Sequence, residues 1–89
     1  MTYVVLLHPK ALKELKEIDE STRDRIKKAL KELEGEPTAQ GKQLKHSEYW
    51  SLRVGDYRAV NEIWVEKKRV VVLFIGHRKN VYDDFSRLF

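Results

Sequence analysis

Between Tyr49 and Ile75 the chain reads YWSLRV (49–54), GD (55–56), YRAVNEIWV (57–65), EKK (66–68) and RVVVLFI (69–75), and the reading of this stretch decides the fold. Three runs rich in aromatic and β-branched residues are separated by two short polar breaks, the pattern of strands joined by tight turns. Gly55-Asp56 is a two-residue hairpin signal, and Glu66-Lys67-Lys68 supplies the second turn. An antiparallel meander follows. Val70 to Ile75 is apolar at every position, so both of its faces need cover and it is expected at the centre of the sheet, with Gly76 ending it.

Before the meander, Tyr3 to Leu7 reads as another strand. His8-Pro9 closes it, because proline cannot donate to a ladder but suits the first turn of a helix. Ala11, Leu12, Leu15 and Ile18 then recur at helical spacing among lysines and glutamates. Ser21 with Asp24 three residues on resembles a capping box, and Ile26, Ala29, Leu30 and Leu33 give a second i, i+3, i+4, i+7 stripe ended by Gly35 and Pro37. Two amphipathic helices with so short a connection are expected to lie antiparallel on the sheet. Thr38 to Glu48 has no period and reads as a polar, partly basic loop. Val81, Phe85 and Leu88 suggest a short C-terminal helix over Asn80–Phe89. The expected fold is α+β, one domain over residues 1–89. Its mostly antiparallel four-stranded sheet, in the order β-α-α-β-β-β-α, carries a helical hairpin on one face.

Eighty-nine residues limit the chain to one modest core. The absence of cysteine removes disulfides and thiolate metal sites and fits a cytoplasmic location. The longest apolar run is too short to cross a bilayer, and the N-terminus lacks the pattern of an export signal. The net charge of +4 is unevenly placed. Residues 10–36 balance eight basic against eight acidic side chains, whereas residues 37–89 hold ten against six. Between Lys67 and Lys79 there are five cations and no acid. Such a segment suits a polyanion, although surface charge that merely aids solubility would look the same.

Two motifs turn this outline toward a family. Leu52-Arg53-Val54-Gly55-Asp56-Tyr57-Arg58 and Ile75-Gly76-His77-Arg78-Lys79-Asn80-Val81-Tyr82 resemble segments of the RelE/ParE toxin superfamily, and Lys10-Ala11-Leu12-Lys13-Glu14-Leu15 is similar to the start of the first helix in these toxins. The resemblance covers nearly the whole chain. Arg58, Arg78 and Tyr82 match the RelE branch, which implies a toxin of a type II toxin–antitoxin system. The implied activity is a metal-independent endoribonuclease, an mRNA interferase that cleaves message on the ribosome and so stops translation.

Strand scission by the internal 2′-hydroxyl needs that hydroxyl deprotonated, the departing 5′-oxygen protonated, and the charge on the phosphorane stabilised. The resemblance assigns Arg58 and Arg78 to the phosphorane, a task for which a planar, permanently charged guanidinium is suited. It also assigns Tyr82 to orienting the attacked nucleotide. His77 is the side chain beside the clamp whose unperturbed pKa, near ~6.5, suits proton transfer at neutral pH. Here the chain departs from the family, since Tyr49 and Ser51 occupy strand positions where lysines assist. Lys42, Lys45, His46, Arg53 and Lys79 are candidates for RNA contact, with a solvated loop the plainer reading for Lys42, Lys45 and His46. Trp50 and Trp64 are expected in the core. His8, His46 and His77 have no ligand spacing, so neither metal nor cofactor is expected.

The resemblance further implies a RelB-like antitoxin, and Phe85, Leu88 and Phe89 are candidate contacts for it. The ribosome with its mRNA would be the target, and operator DNA would be bound through the antitoxin. Two alternatives remain at this point: a ParE-like inhibitor of DNA gyrase, and a catalytically silent partner that acts only as co-repressor.

Overall fold

Residues 2–44 and 47–77 are described by the computed structural model. The elements run β1 (Val4–Leu7), α1 (Pro9–Glu17), α2 (Glu20–Glu32), α3 (Pro37–Gln40), β2 (Lys42–Gln43), β3 (Tyr49–Val54), β4 (Tyr57–Trp64) and β5 (Arg69–His77). Five strands form one mixed sheet in the order β1-β5-β4-β3-β2, with β1 parallel to β5 and the other pairs antiparallel. The expected α+β class and the meander are present; the apolar strand β5 is interior, flanked by β1 and β4, but it is β4 and not β5 that holds the middle of the sheet. The fifth strand is a correction. Within the stretch read as a loop, α3 makes one turn and β2 adds two residues against Ser51 and Trp50. A two-residue strand has no period to betray it, but Gly41 permits it: a Cβ there would meet the Ser51 carbonyl oxygen at 2.9 Å.

The N-terminal crossover follows from local chemistry. Pro9 opens α1, and His8 caps it by accepting the Lys10 N–H on Nδ1 at 3.1 Å. Only Ile18 and Asp19 separate α1 from α2. Asp19, not Ser21, is the cap of the second helix: its carboxylate accepts the Thr22 N–H at 3.0 Å. The helix therefore starts two residues before the expected capping box, and Glu20 falls in its first turn where negative charge is favoured.

One face of the sheet carries the main core. Ala11 and Leu15 of α1, with Ile26, Leu30 and Leu33 of α2 and its end, close over Leu52, Ala59, Val70, Val72 and Ile75. Both predicted stripes thus face the sheet, except Leu12, which stays exposed. On the opposite face Val60, Leu73 and Phe74 form a smaller buried cluster with Leu44, Tyr49 and Val71 against it. Where β1 ends, α1 takes over the free edge of β5: the Glu14 carboxylate accepts the Ile75 N–H at 3.3 Å. β5 runs through Gly76 to His77 and so does not stop at the glycine.

Trp64 does not fill the core. It lies at the end of β4, 41% exposed, its indole N–H donated to Glu62 and the Lys67 ammonium 5.6 Å from its ring centre. Trp50 is half-buried. The expected C-terminal helix over Asn80–Phe89 lies outside the described residues.

The Asp19 cap makes a stability prediction. Hydrogen bonds from the Thr22 backbone and side chain hold its carboxyl below the ordinary value of 3.8. A depressed folded pKa adds stability above the unfolded value and loses it as pH falls through the folded one. Asp19→Ala should lower the melting temperature at neutral pH, and the difference from wild type should shrink below about pH 4. Asp19→Asn, a neutral cap, should keep most of the stability with little dependence on pH in that range.

Candidate nucleic-acid interface

The sheet face away from the helices is organised by the β3–β4 hairpin. Its two-residue turn has a positive φ only at Gly55 (59°), the arrangement of a type II′ turn, whose twist matches that of the flanking strands. The register that follows is Val54 opposite Tyr57 and Arg53 opposite Arg58. Val54 and Tyr57 pack toward the helices. One residue further from the turn, the two arginines therefore face the other way.

Directly opposed side chains on one face have their Cβ atoms about 5 Å apart, and like charges there oppose folding. Arg58 is half-buried, whereas Arg53 is exposed and donates from Nε to the Gly55 carbonyl at 3.4 Å. Two fixed cations at one end of a sheet suit an anionic ligand that lies across both. The next strand supplies a floor. Gly76 of β5 is the cross-strand partner of Arg58, and a Cβ at that position would come within 2.7 Å of Cε1 of the buried Phe74 ring. Only glycine leaves that ring in place, so the surface beside Arg58 stays flat. A glycine inside an apolar strand is the sequence signal for such a close approach.

On the other flank, Lys42 of β2 is paired with Ser51, which is paired with Val60. This places Lys42 on the face of Arg53 and Arg58. Ser51 is 3% exposed, and its hydroxyl has no hydrogen-bond partner among the described residues. It is a buried strand residue and not a stand-in for a proton-carrying lysine.

His77 departs from the expected constellation. It is the partner of Tyr57, their ring centres 5.7 Å apart at 74°, and Tyr57 packs on the helix-side core. The imidazole expected beside the clamp is therefore on the opposite face from Arg58. Of the expected residues, the structure brings together Lys42, Arg53 and Arg58 and separates His77 from them. Lys45, His46, Arg78, Lys79, Tyr82, Phe85, Leu88 and Phe89 lie outside the described residues.

A mixed five-stranded sheet with its helices on one side and a cationic hairpin on the other defines a small RelE-like α+β fold. Comparison agrees at the level of whole chains. The M. tuberculosis toxin–antitoxin complex RelBE2 contains a chain 27% identical, with a TM-score of 0.81 over 88% of this chain and 100% of that one. An E. coli RelE mutant in the free state is 26% identical with a TM-score of 0.79 over 100% of both. The RelE–RelB complex of Pyrococcus horikoshii gives 25% and 0.78 over 88% of this chain and 97% of that one. A YoeB/ParE toxin from Agrobacterium tumefaciens, 17% identical with a TM-score of 0.71 over 83% of this chain and 96% of that one, shares the fold. No curated protein matches. The family model for the ParE toxin of the type II toxin–antitoxin system parDE matches residues 5–82. The chain belongs to the RelE/ParE superfamily and is a toxin of a type II toxin–antitoxin system.

The opposed arginines and the glycine floor can each be tested by stability alone. Arg53→Thr removes one of two facing cations and should stabilise the fold by about 0.5 kcal/mol, more at low salt. Gly76→Ala should destabilise it by about 1–3 kcal/mol, because the new methyl must displace a buried ring. Both values are read from denaturant unfolding.

Proposed function

We propose that this toxin is a ribosome-dependent endoribonuclease that cleaves mRNA, with the helix-free face around Arg58 as its RNA-binding surface. The observation that carries the proposal is the direct opposition of Arg53 and Arg58 beside Gly76, whose missing side chain leaves room for the Phe74 ring. Two guanidinium groups set side by side on one sheet face can together hold the oxygens of a backbone phosphate. The 25–27% identity to RelE chains supports the same branch.

In this reading Arg58 grips the scissile phosphate together with Arg78. Attack of the 2′-oxygen on phosphorus forms a pentacovalent phosphorane, and loss of the 5′-oxygen leaves a 2′,3′-cyclic phosphate and a free 5′-hydroxyl. The proton removed from the 2′-hydroxyl and the one given to the 5′-oxygen keep the step balanced. The guanidinium groups stabilise the added negative charge on the non-bridging oxygens, and Tyr82 orients the nucleotide. Lys42 and Arg53 follow the backbone on the β3 side, with Lys45, His46 and Lys79 as further contacts. His77, turned toward Tyr57, takes no proton step; it anchors the end of β5.

By analogy with the RelB-bound RelE chains, a RelB-like antitoxin restrains the toxin, with Phe85, Leu88 and Phe89 among its contacts. The pair would bind operator DNA through the antitoxin. One observation favours a second reading: the matching family model is that of ParE, whose activity would be inhibition of DNA gyrase.

Purified ribosomes programmed with a defined message decide between them. Wild type should cut the message and leave gyrase supercoiling unchanged. Arg58→Ala and Arg78→Ala should each slow cleavage by about 10²-fold or more, the scale of losing one donor to a transition-state oxyanion. An intact message with supercoiling blocked would replace the ribonuclease reading with the gyrase one, and an intact message with gyrase active would favour the silent co-repressor.

A further inference from the structure

We infer that Lys10, at the start of α1, is a third cation of the RNA-binding surface and holds the nucleic-acid backbone on the side of β5 away from Arg53. This rests on the ribonuclease reading above and adds to it a residue from a different part of the chain.

Lys10 occupies the second position of α1, directly after Pro9. A cation there faces the positive end of the helix dipole, and no acid sits in this first turn to offset it. Helix-starting chemistry would place aspartate or glutamate here, as it places Glu20 in α2. The side chain is half-buried, and its ammonium lies 5.6 Å from the centre of the Phe74 ring. Attraction to a ring at a partly exposed site is of the same modest size as the opposing dipole term, so the two nearly cancel. The fold alone gives little reason for a lysine at this position.

The position of Phe74 supplies the reason. Its ring lies against Gly76, and Gly76 faces Arg58 across the β4–β5 ladder. Phe74 belongs to the cluster on the helix-free face, while Lys10 belongs to a helix on the other. Lys10 reaches Phe74 past the edge of β5 beyond Val72, where β1 pairing has ended. Across the sheet, Gly76, Arg58 and Arg53 form one row, with Lys10 at its β5 side over Phe74 and Lys42, paired with Ser51 two residues along β3 from Arg53, offset at its other side. A single RNA strand laid along that row meets phosphate partners on each flank of the scissile position, and such backbone contacts fix register without reading sequence. A compact ammonium suits this holding role, whereas planar guanidinium suits the clamp.

The test is single-turnover cleavage of a defined message on programmed ribosomes, with toxin concentration and salt varied. Lys10→Met keeps an apolar stem over Phe74 and removes the charge; it should raise the half-saturating toxin concentration several-fold, and Lys10→Glu should raise it further. The maximal rate should stay within about twofold of wild type, because removing an attraction that ground and transition states share equally changes binding and not turnover. Lys10→Met should also flatten the dependence of log affinity on log salt by about 0.7, one single-strand phosphate neutralised. Lys10→Arg should restore both. A purely structural lysine would change melting temperature without changing the salt slope, and that result overturns the inference. So does a Lys10→Glu variant with wild-type half-saturation while Arg58→Ala is impaired, which leaves the ribonuclease reading standing. A wild-type protein that leaves the message whole overturns both.

Discussion

An extended strand shows successive side chains to opposite faces, and inserting one residue exchanges the faces for everything beyond it. β5 contains such an insertion. Val60 of β4 pairs with Phe74 and the next residue, Asn61, pairs with Val72, which leaves Leu73 as a bulge. Before it, Val70 and Val72 face the helices; after it, Ile75 does, while Leu73 and Phe74 share the other side. Strict alternation from Val70 would have put Phe74 and Gly76 under α1 and turned His77 toward Arg58. The bulge reverses this, giving Arg58 a glycine for a neighbour and seating His77 against Tyr57. Bulges add local twist and often sit next to functional sites. Here the geometry of the candidate surface depends on one.

The two faces divide structural and functional demands. Burial of the α1 and α2 stripes over β3, β4 and β5 is the larger favourable term, and the other face adds only the smaller cluster of Val60, Leu73 and Phe74. That excess tolerates unfavourable local choices on the other side: two arginines opposed across a hairpin, a glycine in an interior strand and a buried serine without a partner for its hydroxyl among the described residues. Each departs from what a stable sheet prefers, and all three lie on one face. A surface shaped for stability alone would place threonine and valine at these positions. Conflicts of this kind mark a site when they converge.

Much of this architecture is legible in the sequence because its elements have strong periods. The stripe Ile26, Ala29, Leu30, Leu33 fixes α2 and its inward face, and Gly55-Asp56 fixes the hairpin and hence the meeting of Arg53 with Arg58. What escaped has a physical reason in each case. Asp19 and Ser21 are both capping residue types two positions apart, and the short Ile18–Asp19 link decides between them through packing that only the folded chain shows. β2 is too short to carry alternation, and Trp64 finds its partners in Glu62 and Lys67 at a strand end, not in a core. The bulge at Leu73 falls inside a wholly apolar run, where pattern carries no phase at all. That one silent feature moved His77 to the wrong side of the expected site.

The same division bears on how one fold serves toxins with different targets. No helix among the described residues is long and apolar enough to cross a membrane, and α1 and α2 are committed to the sheet. Among the described residues, the helix-free face, the strand ends and the start of α1 carry the side chains outside that packing. Residues there, such as Lys42, Arg53 and Arg58, contribute little to the main core, so exchanging them alters charge and shape without unfolding the scaffold. A gyrase-directed and an RNA-directed toxin can then share β5, its bulge and the covering helices while differing at a few surface positions. By this argument the sheet and helices identify the superfamily, whereas its branches are free to differ at exposed positions outside that core. The match of residues 5–82 to the ParE family model and an opposed arginine pair with the geometry to hold an anion are therefore compatible features of one molecule.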